Sequence, residues 1–181
     1  MEPGAKRIEM VLKAYQAYFR SLAFQELPKM AYQYLGEAGF VEVAEALARA
    51  TIAALPALIE ATKGLVEMPE SKDPLDVLPL HFQCHSKARE ITEDNTIGLF
   101  RAIRESENRL VFEAVHCPYG VENPLVLASY VGIVVGVLRA LGAKAYALSK
   151  PESKKYIREG YVVWGEKTDE TCRIIVEKIE R

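Results

Sequence analysis

Apolar residues near the start of the chain recur every three to four positions. Ile8, Val11, Leu12, Tyr15, Phe19 and Leu22 follow that spacing, which places them on one helix face and predicts a helix over 4–24. A shorter helix is predicted over 26–36, with Pro28 in its first turn, where a missing N–H is tolerated. Gly36 and Gly39 should close it. A third helix is predicted over 40–63, with Phe40, Val43, Leu47, Ile52, Leu55 and Ile59 along one side. Pro56 is expected to kink it and Gly64 to end it. Residues 67–79 carry Pro69, Pro74 and Pro79 among charges, which reads as a linker or surface loop. Residues 80–85 fit a helix or a strand.

Beyond residue 85 the period moves toward two, predicting strands at 86–92, 97–104 and 109–117. Glu93-Asp94-Asn95 and Glu105-Ser106-Glu107-Asn108 supply the turns. A four-residue turn at 105–108 sets Arg104 opposite Arg109. In that register Leu99, Arg101 and Ile103 share a face with Leu110, Phe112 and Ala114, and Phe100 and Ala102 share the other with Val111, Glu113 and Val115. A slip of one residue would exchange the two sets.

Asn123 and Pro124 then make a good helix start. Leu125 to Leu141 is nearly all apolar and Gly142 follows, which predicts a helix over 124–141 buried on most sides. Its uncharged stretch is shorter than the roughly 20 residues a membrane span needs. A strand is predicted at 143–150, a charged helical turn at 151–159, and two last strands at 161–164 and 172–176. The fold class expected is α+β: N-terminal helices packed on an antiparallel sheet, with one buried helix between strands. Residues 1–66 form a helical region and 80–181 an α+β region, within what reads as a single domain.

A net charge of −2 without a basic stripe argues against nucleic acid as the main partner. The N-terminus lacks a signal-peptide apolar stretch. Cys84, Cys117 and Cys172 are odd in number and far apart, so a secreted disulfide framework is not expected. These features place the chain in a reducing cytoplasm. Asn and Gln are scarce beside Glu, Lys and Arg, a thermophile tendency.

Three features bear on chemistry. Ala128, Gly132, Gly136 and Ala140 recur every four residues on the buried helix. Each glycine inside a helix costs about 1 kcal/mol against alanine, so the stripe needs a reason. Close packing supplies one; a homodimer contact or room for a ligand are the others. His81, Cys84, His85, His116, Cys117 and Cys172 are sulfur and imidazole groups that suit zinc or iron. Their spacings match no known ligand motif, and isolated buried cysteines behave as small hydrophobes. No metal is therefore expected; should one bind, Cys84, His85, His116, Cys117 and Cys172 are its candidates. Glu113 lies in an apolar strand, where a raised pKa would permit acid–base work, although such a carboxylate more often marks a solvated face or an ion pair. No phosphate-binding loop, dinucleotide fingerprint or nucleophile elbow is present, so an enzyme reading lacks a motif and no catalytic residue is assigned.

Glu113-Ala114, the Asn123-Pro124 entry into a helix bearing Ser129, Gly132 and Gly136, then Leu141-Gly142 and a strand, and finally Glu170-Thr171-Cys172-Arg173-Ile174-Ile175 together resemble the 4-vinyl-reductase-type, or hydrocarbon-binding, domain. That family is related to the small subunits of the TRAPP tethering complex. The resemblance spans about residues 113–179. It implies a compact α+β fold, frequent dimers and a small apolar molecule held between helices and sheet. Some members hold zinc through cysteines, but only Cys172 falls at a matching position here, so that site does not carry over. The leading expectation is thus a non-enzymatic, homodimeric domain that binds or senses a small apolar ligand, with no cofactor. Phe100, Phe112, Tyr130 and Tyr146 are its candidate lining. A metal-dependent enzyme or redox protein using the Cys and His residues is the first alternative, and a structural assembly subunit the second.

Overall fold

A computed structural model describes residues 3–64, 66–67, 69–92, 98–117, 125–168 and 171–181. Helix α1 (Pro3–Ser21) runs through a π-helical segment (Leu22–Glu26) into α2 (Leu27–Leu35). Pro28 explains the wide turn, because an in-line proline removes a helical donor and pushes on the carbonyl a turn before it. In the π register the carbonyl of Ala23 would face the nitrogen of Pro28, which carries no hydrogen. The hydroxyl of buried Ser129 donates to that carbonyl instead, at 2.7 Å. After Gly36, whose φ of 58° lies in the left-handed region glycine favours, α3 (Glu37–Thr62) continues through Pro56 without a break.

Helix α4 (Pro74–Thr92) corrects two expectations. The stretch 86–92 is helical, not a strand, and the loop at 67–79 ends at residue 73. The cause is a cap: Asp73 Oδ1 accepts from the backbone N–H of Leu75 at 2.9 Å, with Pro74 at the first helical position. Buried Leu75, Leu78 and Phe82 then keep helical spacing.

Strands β1 (Leu99–Ser106) and β2 (Arg109–His116) form a hairpin around Glu107-Asn108. Helix α5 (Val126–Ala140), β3 (Ala145–Ala147), a 3-10 turn (Pro151–Tyr156), β4 (Glu159–Lys167) and β5 (Cys172–Glu180) follow. The sheet order is β1-β2-β5-β4-β3. It is antiparallel except for the β3–β4 pair. The expected helix start at Asn123-Pro124 lies outside the described residues.

The hairpin register departs from expectation by one position. Arg104 pairs with Leu110 and Ser106 with Arg109. The turn takes two residues rather than four, a common hairpin length, and a bulge between Arg104 and Ser106 leaves a net slip of one, so the groupings of residues 100–104 exchange faces. Phe100 and Ala102 therefore share a face with Phe112 and Ala114, while Arg101 and Ile103 share the other with Val111 and Glu113.

Helix α5 lies on the first of these faces and under α3, so the N-terminal helices and the sheet share one apolar core. Phe40, Ala44 and Ala48 of α3 belong to it together with Val131, Val134 and Leu138 of α5 and Phe112, Val163 and Ile174 of the sheet. The small-residue stripe is where α3 and α5 meet. A Cβ on Gly132 would collide with the carbonyl of Ala44, and one on Gly136 would lie 2.7 Å from both the Ala48 oxygen and Thr51 Cβ. Ala128 is buried, whereas Ala140 is exposed and outside the contact. Gly136→Leu is expected to lower stability by roughly 1–3 kcal/mol or more, read as a lower thermal midpoint. A midpoint equal to wild type would remove the close-packing explanation. Arg139 locks the far end of the contact. It grips Glu45 through two bonds of 2.6 and 2.8 Å and also donates to the carbonyl of Ala145.

The other sheet face carries a second apolar cluster of Val111, Val162, Trp164, Ile175 and Ile179. Lys154 of the 3-10 turn bonds Glu177 at 2.9 Å and sits 5.7 Å from the Trp164 ring centroid. Both faces of the sheet are thereby covered in part.

Candidate functional site

Between the second half of α3 and α4, the last turn of α5 closes one side of a cavity of about 290 Å³. Leu55, Leu58 and Ile59 of α3, Val77 and Leu80 of α4, and Val137 of α5 line it. These are apolar residues that the α3–α5 contact leaves uncovered. Lys63, just past α3, and three residues of α4 supply the polar contribution. His81, Cys84 and His85 lie three and four residues apart on α4, so they fall on the side that faces the cavity.

The two imidazole rings are 4.5 Å apart between centroids. His81 Nε2 and His85 Nδ1 are buried and have no hydrogen-bond partner among the described residues. Burial pushes the His81 pKa down to about 3, helped by the neighbouring His85. Burial also pushes His85 down to about 4, with the charge of Arg20 adding to it. Both rings are therefore neutral at physiological pH. A neutral imidazole offers one N–H donor and one acceptor nitrogen, so this apolar cavity holds polar groups with capacity to spare.

An aromatic column leads from the histidines into the core. Phe82 is 5.7 Å from His85, 4.8 Å from Phe100 and 4.4 Å from Phe112. Tyr130 continues the column, 5.0 Å from Phe100 and 5.0 Å from Phe24. Three of the four lining residues expected from sequence, Phe100, Phe112 and Tyr130, thus come together, but as packed core beside the cavity rather than as its wall. Tyr146 is on β3, separated from β2 by β5 and β4, and is exposed, so it does not join them. The lining from α3 and α4 was missed because its apolar residues read as ordinary helix face. The one available signal was His81-x-x-Cys84-His85 on a segment whose helical nature the sequence left open.

The Cys and His set divides. Cys84 and His85 are at the cavity. Cys117 and Cys172 are joined in a disulfide with Cα atoms 5.5 Å apart, which corrects the expectation of free apolar thiols. His116 closes β2, and its side chain lies outside what is described. Among the described residues no three His, Cys, Asp or Glu side chains gather in a metal-binding group.

Glu113 sits in ion pairs, the commoner reason for a carboxylate on such a strand. It accepts from Arg173 Nε at 2.8 Å and from Arg101 at 2.7 Å. The Arg173 hydrogen bond first, then that of Arg101, holds its pKa below the usual carboxylate range. An ionised carboxylate so paired is no general acid. An open groove borders this triad, with Val115, Thr168 and Thr171 at its rim.

Among the described residues no helix is long and apolar enough to cross a membrane. No family model matches the sequence, and no curated protein does. Among solved structures, the chain is similar to the Fe(II) unliganded H-NOX protein from K. algicida, at 14% identity and a TM-score of 0.48. The match covers 77% of this chain and 64% of that one. No conclusion about this chain rests on so distant a likeness.

Proposed function

We propose that this chain is a binding or sensing domain for a small, mostly apolar molecule held in the α3–α4–α5 cavity. The carrying observation is an apolar cavity into which two neutral imidazoles bring unpartnered buried nitrogens. Ligand sites typically combine an apolar wall with a few placed polar groups. The volume sits near the small end of that class, room for one or two rings rather than a long acyl chain. A neutral imidazole accepts from a hydroxyl, so the ligand is an apolar body with one hydrogen-bonding group. Membership of the hydrocarbon-binding family fits the same reading, with the helix bearing Ser129, Gly132 and Gly136 between hairpin and closing strands. The expected homodimer finds its support in the exposed apolar face of α1.

Titration of the purified chain with naphthalene and 1-naphthol, followed by ligand fluorescence, tests this. Both are expected to bind, the naphthol about tenfold more tightly, since one net hydrogen bond is worth about 1 kcal/mol or slightly more. His81→Phe should remove most of the preference and keep the binding. Leu55→Trp, which fills the cavity, should abolish both. Absence of saturable binding, or binding indifferent to Leu55→Trp, would discard the cavity as the site.

A further inference from the structure

The sheet ends on β1, which pairs only with β2. Irregularities between Leu99 and Phe100 and between Arg104 and Ser106 leave residues 100–104 in regular register. Among the described residues, the backbone of this stretch is hydrogen-bonded to β2 alone. The outer face behind it is ordered in rows that run across the strands. Arg101, Glu113, Arg173 and Glu166 stand opposite one another on β1, β2, β5 and β4, so the charges alternate in sign. Glu113 joins the first three through bonds of 2.7 Å to Arg101 and 2.8 Å to Arg173. The next row, Ile103, Val111, Ile175 and Trp164, is apolar. At the edge the charge row stops on a cation. The Arg101 side chain is 68% exposed, against 17% for Glu113, and it borders the open groove with Val115, Thr168 and Thr171.

We propose that the 100–104 edge takes an added strand from another protein, an extended segment with an aspartate or glutamate opposite Arg101 and an apolar residue two positions away, opposite Ile103. Alternate residues of a strand point to one face. That spacing therefore sets the carboxylate at the end of the charge row and the apolar side chain at the end of the apolar row, whichever way the segment runs. Main-chain bonds to a free edge give such a strand its hold, and the alternate side chains give it selectivity. An arginine on an edge ordinarily wards off pairing. Here it does so selectively, because a cation ending an alternating row repels a basic strand and attracts an acidic one. Ala102, on the opposite face, is small and exposed, so it leaves the neighbouring position of the guest unobstructed. A second copy of this chain is the poorer occupant. Two β1 strands paired antiparallel about Ile103 would set Glu105 against Arg101, but Glu105 lies at the bulge and is held by Arg109 at 2.7 Å. The chain carries a net charge of −2, so a preference for an acidic segment comes from this local row and not from overall attraction. The proposal needs nothing from the α3–α4–α5 cavity.

The test is fluorescence anisotropy of a fluorescein-labelled peptide, Thr-Val-Thr-Glu-Thr-Val-Thr, titrated with the full chain. Saturable binding is expected, and about tenfold weaker binding when lysine replaces the glutamate. This comparison uses the wild-type protein and depends on no variant's folding. Arg101→Glu should reverse the preference, since Arg173 remains to pair with Glu113. Main-chain pairing is read separately, with the same peptide N-methylated at every inner residue, which removes its backbone donors. That peptide should not bind. No saturable binding, equal affinity for the glutamate and lysine peptides, a preference unmoved by Arg101→Glu, or full binding of the N-methylated peptide would each overturn the proposal. So would light scattering in which Arg101→Glu halves the mass of the wild-type particle, which would give the edge to a second copy.

Discussion

Removing the Cys117–Cys172 disulfide is expected to lower the free energy of unfolding by about 4 kcal/mol. The bridge closes a loop across a sequence separation of 55 residues. For a loop of that length the chain-entropy account gives an effect of about this size. Its position sharpens the expectation. The closed segment contains α5, β3 and β4, the centre of the core. The β2–β5 ladder has its last pair at Glu113 and Arg173. Past that pair, the Thr171 hydroxyl donates to the Ala114 carbonyl at 2.6 Å, and the disulfide continues the connection. Cys172 is almost fully buried, so a reductant reaches it only after local opening. Urea unfolding with and without dithiothreitol should separate the two midpoints. A Cys117→Ser, Cys172→Ser double variant should match the reduced protein and ignore the reductant. Coincident midpoints for oxidised and reduced protein would refute a stabilising role. Disulfides persist in oxidising compartments and in the interiors of some hyperthermophiles, so the bridge reopens the expectation of an ordinary reducing cytoplasm.

The parts of the fold legible in the sequence are those whose physics is local. The buried helix around Gly132 and Gly136 follows from an uncharged apolar run, and its glycines from their four-residue spacing. The parts that misled depend on one residue's side chain or on contacts distant in sequence. Asp73 caps α4, and without that cap the alternating residues of 86–92 resemble a strand. A one-residue bulge between Arg104 and Ser106, beside a turn of two residues, moved the side chains of 100–104 to the other face relative to β2. The disulfide joins cysteines that no spacing rule connects. The cavity was least legible of all. It lies where residues of α3, α4 and the end of α5 come together beyond the small-residue contact, a property of helix packing that no window of sequence carries. Phe100, Phe112 and Tyr130, expected as the lining of a ligand site, pack as filled core beside the cavity. The histidines suit a metal by element type alone, whereas packing gives each a buried ring nitrogen without a hydrogen-bond partner among the described residues.

That burial makes the protein sensitive to acid in a definite window. An imidazole has an ordinary pKa of 6.5, and in the folded chain His81 titrates at about 3 and His85 at about 4. The folded values are depressed, so between pH 6.5 and about 4 the unfolded chain binds more protons than the folded one. Stability then rises with pH across that interval. It is fully present above about 6.5 and is lost as pH falls below it. At pH 5 each imidazole has given up at most about 2 kcal/mol, and the two together about 3 kcal/mol once solvent access through the cavity is allowed for. The charged surroundings act in the same direction. Arg20 lies near His85 and Lys63 lines the cavity, so each added proton meets like charge. The Glu45–Arg139 pair titrates elsewhere, because the Arg139 hydrogen bonds hold the Glu45 carboxyl below its usual 4.5, and its loss belongs to more acidic solutions. Thermal melts from pH 7.5 to 4.5 should therefore show a falling midpoint in the wild type. A His81→Leu, His85→Leu double variant should give a much flatter profile. If both proteins lose stability in parallel through this range, the histidines are not the acid-sensitive groups. A ligand that donates a hydrogen bond to either ring should deepen the wild-type profile, because it binds only the neutral imidazole.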